Sequence, residues 1–195
     1  MLRRRAGLAR PGIVRAPQAP TAAAAGGTAP SAGIHRYLMQ QRIAAIGQDF
    51  DIRNERGQPV FKIDGKVRIA RESLKFRDLQ GNELYRLQER LARVRESFSI
   101  MRGDQVAARV HNALIDPMRE RFQIEIPGGQ NMTALGKVIW AEYHIDRGGQ
   151  QVAQITKRFS WVRRDQYVVD VAPGEDDCLM LAITVVIDMM VSNGR

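Results

Sequence analysis

The chain has 195 residues and a formal charge of +9, which is enough length for one domain with a substantial core. Hydrophobic residues make up 44% of it, which excludes disorder over most of the length. The one cysteine, Cys178, excludes an intramolecular disulfide and suits a reducing compartment such as the cytoplasm.

Residues 1–36 contain six arginines (Arg3, Arg4, Arg5, Arg10, Arg15, Arg36) and no acid, while the remainder holds 24 basic and 21 acidic residues. Most of the excess charge therefore sits in a tail. Arginine outnumbers lysine 25 to 5, a bias that a GC-rich genome explains as readily as phosphate recognition. Residues 1–35 are rich in Arg, Ala, Pro and Gly, with no amphipathic period. Such a segment has too little apolar surface to offset its ordering entropy and is expected to be a disordered tail. It also resembles an organelle transit peptide, but no apolar secretory core follows the arginines. Residues 36–195 form the second unit.

From Tyr37 a unit recurs: an apolar pair at i and i+2, a turn, then another apolar strand. Phe50 and Ile52 precede Asn54–Gly57, then Val60, Phe61 and Ile63. Leu74 and Phe76 precede Asp78–Asn82, then Leu84, Tyr85 and Leu87. Phe98 and Ile100 precede Arg102–Asp104, then Val106, Ala108 and Val110. Phe122 with Ile124, and Tyr143 with Ile145, open two more units. Phe50, Leu74, Phe98 and Phe122 stand 24 positions apart, and Tyr143 follows after 21. Period-2 pairs around glycine turns read as β-hairpins, and the fixed spacing reads as a repeated hairpin. The expected strands are 37–43, 49–54, 59–64, 73–78, 83–88, 97–101, 105–110, 120–126, 132–137, 139–145, 151–157 and 166–171. An open sheet of that size tends to curl or split, and closure removes its edges.

A different pattern ends the chain. Pro173-Gly174 breaks the last strand, Asp176 and Asp177 suit a helix start, and Asn193-Gly194 supplies a stop. A helix over about 176–192 follows, apolar on every face from 179 to 191 except at Thr184 and Asp188. It is buried all round or lies in lipid. Thirteen residues span about 20 Å, short of the roughly 30 Å hydrocarbon core, and Asp188 would add a cost. A core helix is expected, with no transmembrane span. A barrel of about eleven strands or more can hold a helix, so the reading is a mainly β fold, a closed antiparallel barrel of about twelve strands around its C-terminal helix.

Tyr37-Leu38-Met39-Gln40-Gln41, Phe50-Asp51-Ile52, Val60-Phe61-Lys62-Ile63-Asp64-Gly65-Lys66 and Asp78-Leu79-Gln80-Gly81-Asn82-Glu83-Leu84, with the closing Val171–Asp177 and the helix, resemble the LURP-one-related family. That family belongs to the tubby C-terminal-like superfamily, with the phospholipid scramblases. The resemblance covers about residues 37–192 and leaves the tail outside. It implies a twelve-stranded barrel around a central helix. The scramblases carry an acidic, calcium-linked segment before their helix. Here only Glu175, Asp176 and Asp177 remain, without the alternating ligands of a calcium loop, and a helix cap is the better reading. Tubby proper binds phosphoinositides through basic barrel residues, but none of those positions can be matched here one by one.

No catalytic signature is present. His35, His111 and His144 are far apart, and the motifs HExxH, GxSxG, GxxxxGK[ST] and CxxC are missing. Cys178 is expected to be a small buried apolar residue and a poor nucleophile. A non-enzymatic barrel without cofactor or metal is expected. Its partner would be an anionic phospholipid or phosphoinositide headgroup, or another protein, met through basic side chains. The candidates are Lys62, Lys66, Arg68 and Arg71; Arg86, Arg90, Arg93 and Arg95; and Lys157, Arg158, Arg163 and Arg164. Nearby acids (Glu72, Glu89, Glu96, Asp165) offset them. Two readings compete with this one. One is a scramblase-like protein with its helix inserted in a membrane. The other is nucleic-acid binding by the Arg-rich tail, disfavoured because the tail has no aromatic residue to stack.

Overall fold

The computed structural model describes residues 33–43, 48–68, 71–90, 97–113, 120–137, 142–158 and 166–193. Of the tail expected over residues 1–35, residues 1–32 lie outside the described residues, and its last residue, His35, opens the first strand. Twelve strands run β1 (His35–Ile43), β2 (Gln48–Asn54), β3 (Pro59–Arg68), β4 (Arg71–Asp78), β5 (Glu83–Arg90) and β6 (Ser97–Arg102). They continue as β7 (Gln105–Asn112), β8 (Glu120–Glu125), β9 (Met132–Lys137), β10 (Glu142–Arg147), β11 (Gln150–Arg158) and β12 (Gln166–Val171), and α1 (Asp177–Asn193) ends the chain.

Each strand pairs antiparallel with its sequence neighbours, and β1 pairs with β12 to close the barrel. Closure leaves no strand edge exposed. Alternation sets the two faces: in β12, Tyr167, Val169 and Val171 are buried, while Gln166, Val168 and Asp170 are not. The recurring spacing has a structural meaning. Phe50, Leu74, Phe98, Phe122 and Tyr143 are buried near the starts of the even-numbered strands, and Tyr167 repeats the position in β12, 24 residues after Tyr143.

The apolar doublets that break strict alternation have a shared cause. Register shifts occur between Ile52 and Arg53, Phe76 and Arg77, Ile100 and Met101, and Ile145 and Asp146. Each leaves one extra residue on the following strand: Val60, Leu84, Ala107 and Val152. A β-bulge lets two consecutive residues turn toward one face and bends the strand, which helps a sheet close. Val152 and Ala153 are accordingly both buried. In β7 the bulge places Val106 opposite the outward-facing Met101, so Val106 leaves the inward series in which alternation alone would put it.

Two glycine sites show how tightly the hairpins are built. Gly148 and Gly149 join β10 to β11 with φ of 59° and 85°, the left-handed pair that a two-residue hairpin turn requires. Gly136 faces Tyr143 across the β9–β10 ladder, and a Cβ there would lie 2.1 Å from the Tyr143 ring.

The helix fills the barrel. Every residue from Leu179 to Met190 is buried, including Thr184 and Asp188. This is how a helix apolar on all faces is accommodated. Thr184 satisfies its hydroxyl on the Met180 carbonyl at 2.9 Å. Asp176 is the N-cap: its Oδ1 accepts from the Leu179 N–H at 2.9 Å and its carbonyl accepts from the Met180 N–H at 3.0 Å. No helix among the described residues is long and apolar enough to cross a membrane.

Candidate functional site

The three acids before and at the start of α1 are all engaged by the barrel. Asp177 accepts from His35 Nδ1 at 2.9 Å and from the Tyr37 hydroxyl at 2.9 Å. Asp176 accepts from the Tyr85 hydroxyl at 2.8 Å and from Arg102 at 2.5 Å, and Glu175 pairs with Arg147 at 2.7 Å. Burial and the Asp177 carboxylate push the Tyr37 phenol well above its ordinary range. These carboxylates hold the helix in the mouth of the barrel, the capping role read from the sequence.

Near the other end of the helix, Asp188 is only 7% exposed. The Tyr167 hydroxyl donates to its Oδ1, and Lys157 Nζ lies 3.3 Å away. Lys157 is thus a basic partner of Asp188.

Among the described residues, the candidate basic side chains do not form one patch. Lys157 points inward to Asp188, its side chain 16% exposed, so it belongs to the helix seat rather than to the outer surface. Arg158, its neighbour on β11, is exposed. Lys62 is exposed on β3, across the ladders from Asp51 and Arg77. Arg86 and Arg90 share the outer face of β5, as alternation requires. Arg86 pairs with Glu83 at 2.5 Å, and Lys75 reaches the same carboxylate at 3.0 Å. Burial opposes ionisation of Glu83, but these two bonds outweigh it and hold the carboxyl below its usual range. Arg90 is exposed at the end of β5. The side chains of Lys66, Arg68 and Arg71, and residues Arg93, Arg95, Arg163 and Arg164, lie outside the described residues. In a ring of twelve strands β5 and β11 stand on opposite walls, so Arg90 and Arg158 cannot meet one small ligand.

A groove of about 430 Å³ does cross the outer wall of β5, β6 and β7, with Gln88, Arg90, Ser99 and Arg109 among its lining residues. The ladders put Gln88, Ser99 and Arg109 in one row and Met101 beside Val106 in the next. Its volume falls within the range of small-ligand sites. Ser99 and Arg109 were not legible as site residues. Alternation in β7 places Arg109 outward, but only the register joins it to Ser99 and Gln88.

The histidines form no shared centre. His111 Nδ1 lies 4.0 Å from Glu125 on the β7–β8 wall, and His144 Nε2 lies 3.8 Å from Glu142 on β10. Cys178 is part-buried rather than fully buried. Burial, then the Asp176 and Asp177 carboxylates, push its thiol up to about 12, which leaves it inert as a nucleophile near neutral pH.

Comparison with known proteins places the fold. The family model LURP-one-related matches residues 35–188, most of the barrel and helix. The chain belongs to the LURP-one-related family. Among its relatives is the uncharacterized protein YxjI of Bacillus subtilis (strain 168), 24% identical over 157 residues, or 80% of this chain and 93% of that protein. An X-ray structure of an Arabidopsis thaliana protein matches with a TM-score of 0.58 at 15% identity, covering 84% of this chain and 98% of that one. At that identity the likeness concerns the fold alone. The LURP-one-related match stops at residue 188, so it takes in Asp188, Lys157 and the whole groove.

Proposed function

We propose that this LURP-one-related barrel is a non-catalytic binding module that engages an anionic lipid headgroup at its outer wall. The observation that carries the reading is the helix: with Leu179–Met190 buried inside the barrel, ligand contact falls to the outside. Lys62, Arg90 and Arg158 are exposed cations on that outer face and supply the charge that attracts anionic surfaces. The buried seat of α1 favours this reading over insertion of the helix into a bilayer. The single cysteine supports a cytoplasmic setting.

Flotation tests it, with the full chain mixed with phosphatidylcholine vesicles alone or with added phosphatidylglycerol or phosphoinositide. Binding to the anionic vesicles at low salt, weakening as salt rises, is expected. No lipid-dependent shift at low salt would remove the reading and leave a protein partner as the remaining form of the binding-module idea.

A further inference from the structure

Ser99 is unusual on the outer wall. It sits on the solvent side of β6, between the inward-facing Phe98 and Ile100, yet it is only 4% exposed. Its hydroxyl has no hydrogen-bond partner among the described residues. A buried hydroxyl without a partner is costly, so such a group merits a functional reading. Among the described residues, the other side-chain atoms in this condition are Arg77 Nε, Arg86 Nε and His144 Nδ1. They belong to side chains placed against acids through other atoms: Asp64, Glu83 and Glu142 respectively. Ser99 alone has no second polar atom to satisfy.

The groove it lines is graded along the strands. At one end Met101 and Val106 are cross-strand neighbours and form an apolar wall, which the β7 bulge creates by turning Val106 outward. In the middle lie Gln88, Ser99 and Arg109, and at the far end Arg90. From Met101 to Ser97, the residue opposite Arg90, is four residues, or about 13 Å at roughly 3.3 Å per residue. Arg109 approaches Glu125 only to 3.9 Å, beyond hydrogen-bond range, so its N–H groups remain available. The outward side chains of the lining include two guanidiniums, Arg90 and Arg109, while Glu89 alternates with them and pairs with the inward-facing Phe98. Glu125, 3.9 Å from Arg109, offsets part of that positive charge, a balance that suits one negative charge over a multiply charged head.

We infer that the groove across β5, β6 and β7 binds a monoanionic amphiphile, a carboxylate or phosphodiester head joined to an apolar chain. The head oxygens accept from Arg90, Arg109 and the Ser99 hydroxyl, and the chain lies against Met101 and Val106. This deepens the outer-wall reading and rests on it.

The test uses the full chain and titrates it calorimetrically with octanoate, with phosphatidylglycerol vesicles and with inorganic phosphate. Saturable binding of octanoate or of the vesicles is expected, with inorganic phosphate much weaker for want of an apolar part. Octanoate alone assigns a free carboxylate as the ligand source, and vesicles alone assign a lipid phosphodiester. Arg90→Gln and Arg109→Gln should each weaken binding by about tenfold or more, with melts unchanged because both side chains are accessible. Ser99→Ala should weaken binding while raising Tm of the free protein by about 2–4 °C, since an unsatisfied buried hydroxyl is removed. If Ser99→Ala lowers Tm, the hydroxyl supports the wall and the assignment fails. If anionic vesicles bind but both Arg variants bind equally well, this site is wrong and the broader reading stands. If neither octanoate nor any anionic vesicle binds, both fall.

Discussion

Asp188 is the one acid inside the apolar helix, and its replacement tests how the helix is seated. In the structure it is 7% exposed, accepts from the Tyr167 hydroxyl and faces Lys157 Nζ at 3.3 Å. Lys157 also lies over the Tyr167 ring, 5.1 Å from its centroid, so the three side chains form one cluster. Asp188→Asn keeps an acceptor for Tyr167 and removes the charge that Lys157 meets. Breaking a fully buried pair costs about 3–5 kcal/mol. Lys157 is 16% exposed, however, and its long stem can carry the ammonium to water. The loss should therefore be nearer that of a charge-assisted hydrogen bond, about 2 kcal/mol. For a chain of this size that lowers Tm by roughly 4–8 °C. The assay is urea unfolding and thermal melting of the purified chain with Asp188→Asn, Lys157→Met and the double variant. A coupling energy of about 1 kcal/mol or more is expected in the cycle. If Asp188→Asn changes stability by less than about 0.5 kcal/mol, or the two substitutions add without coupling, the pair does not seat the helix and the reasoning fails.

Three further outcomes follow from other contacts. Gly136→Ala places a Cβ 2.1 Å from the Tyr143 ring; the overpacking should cost about 1–3 kcal/mol in a urea titration, and Tyr143→Leu in the same chain should restore part of it. Asp176→Ala removes the cap on the Leu179 N–H together with the partner of Tyr85 and Arg102. A loss of about 1–2 kcal/mol is expected, with Asp176→Asn much milder because Asn also caps; equal losses in the two variants would show that charge rather than capping dominates. Cys178 should resist iodoacetamide at pH 8 in the native protein and react in denaturant, because its thiol is pushed up to about 12 from an ordinary 9.0. Since the unfolded thiol ionises first, its linkage leaves stability unchanged below about pH 9 and lowers it progressively between about 9 and 12, an effect that Cys178→Ala removes.

The strands and the helix were legible because each depends on local pattern. Phe50 with Ile52, or Phe98 with Ile100, alternate around turn residues, and the helix declares its burial by being apolar on every face. The bulges were not legible. Val60-Phe61, Leu84-Tyr85 and Val152-Ala153 look like lapses in alternation, and only pairing shows that the first residue of each is an extra one on its strand. The same limit hid the groove. Gln88, Ser99 and Arg109 belong to three strands and become neighbours through two registers, and a register is information about distant segments that no window of sequence contains.

A count of basic residues misleads for a related reason. In a barrel the acids that neutralise a cation come from neighbouring strands or from the enclosed helix, at separations that sequence proximity does not suggest. Arg36 is committed to Asp170, 134 positions away, through two bonds of 2.7 and 2.8 Å. Arg102 is held by Asp176, Arg147 by Glu175 and Lys157 by Asp188, so three basic side chains are drawn to the helix and its lead-in. Arg86 shares Glu83 with Lys75. The 24 basic residues after residue 36 therefore overstate the free positive surface of the barrel. What marks a side chain as available is an outward position without an acid in hydrogen-bond reach, which, among the described residues, Arg90 and Arg109 have and Lys157 does not.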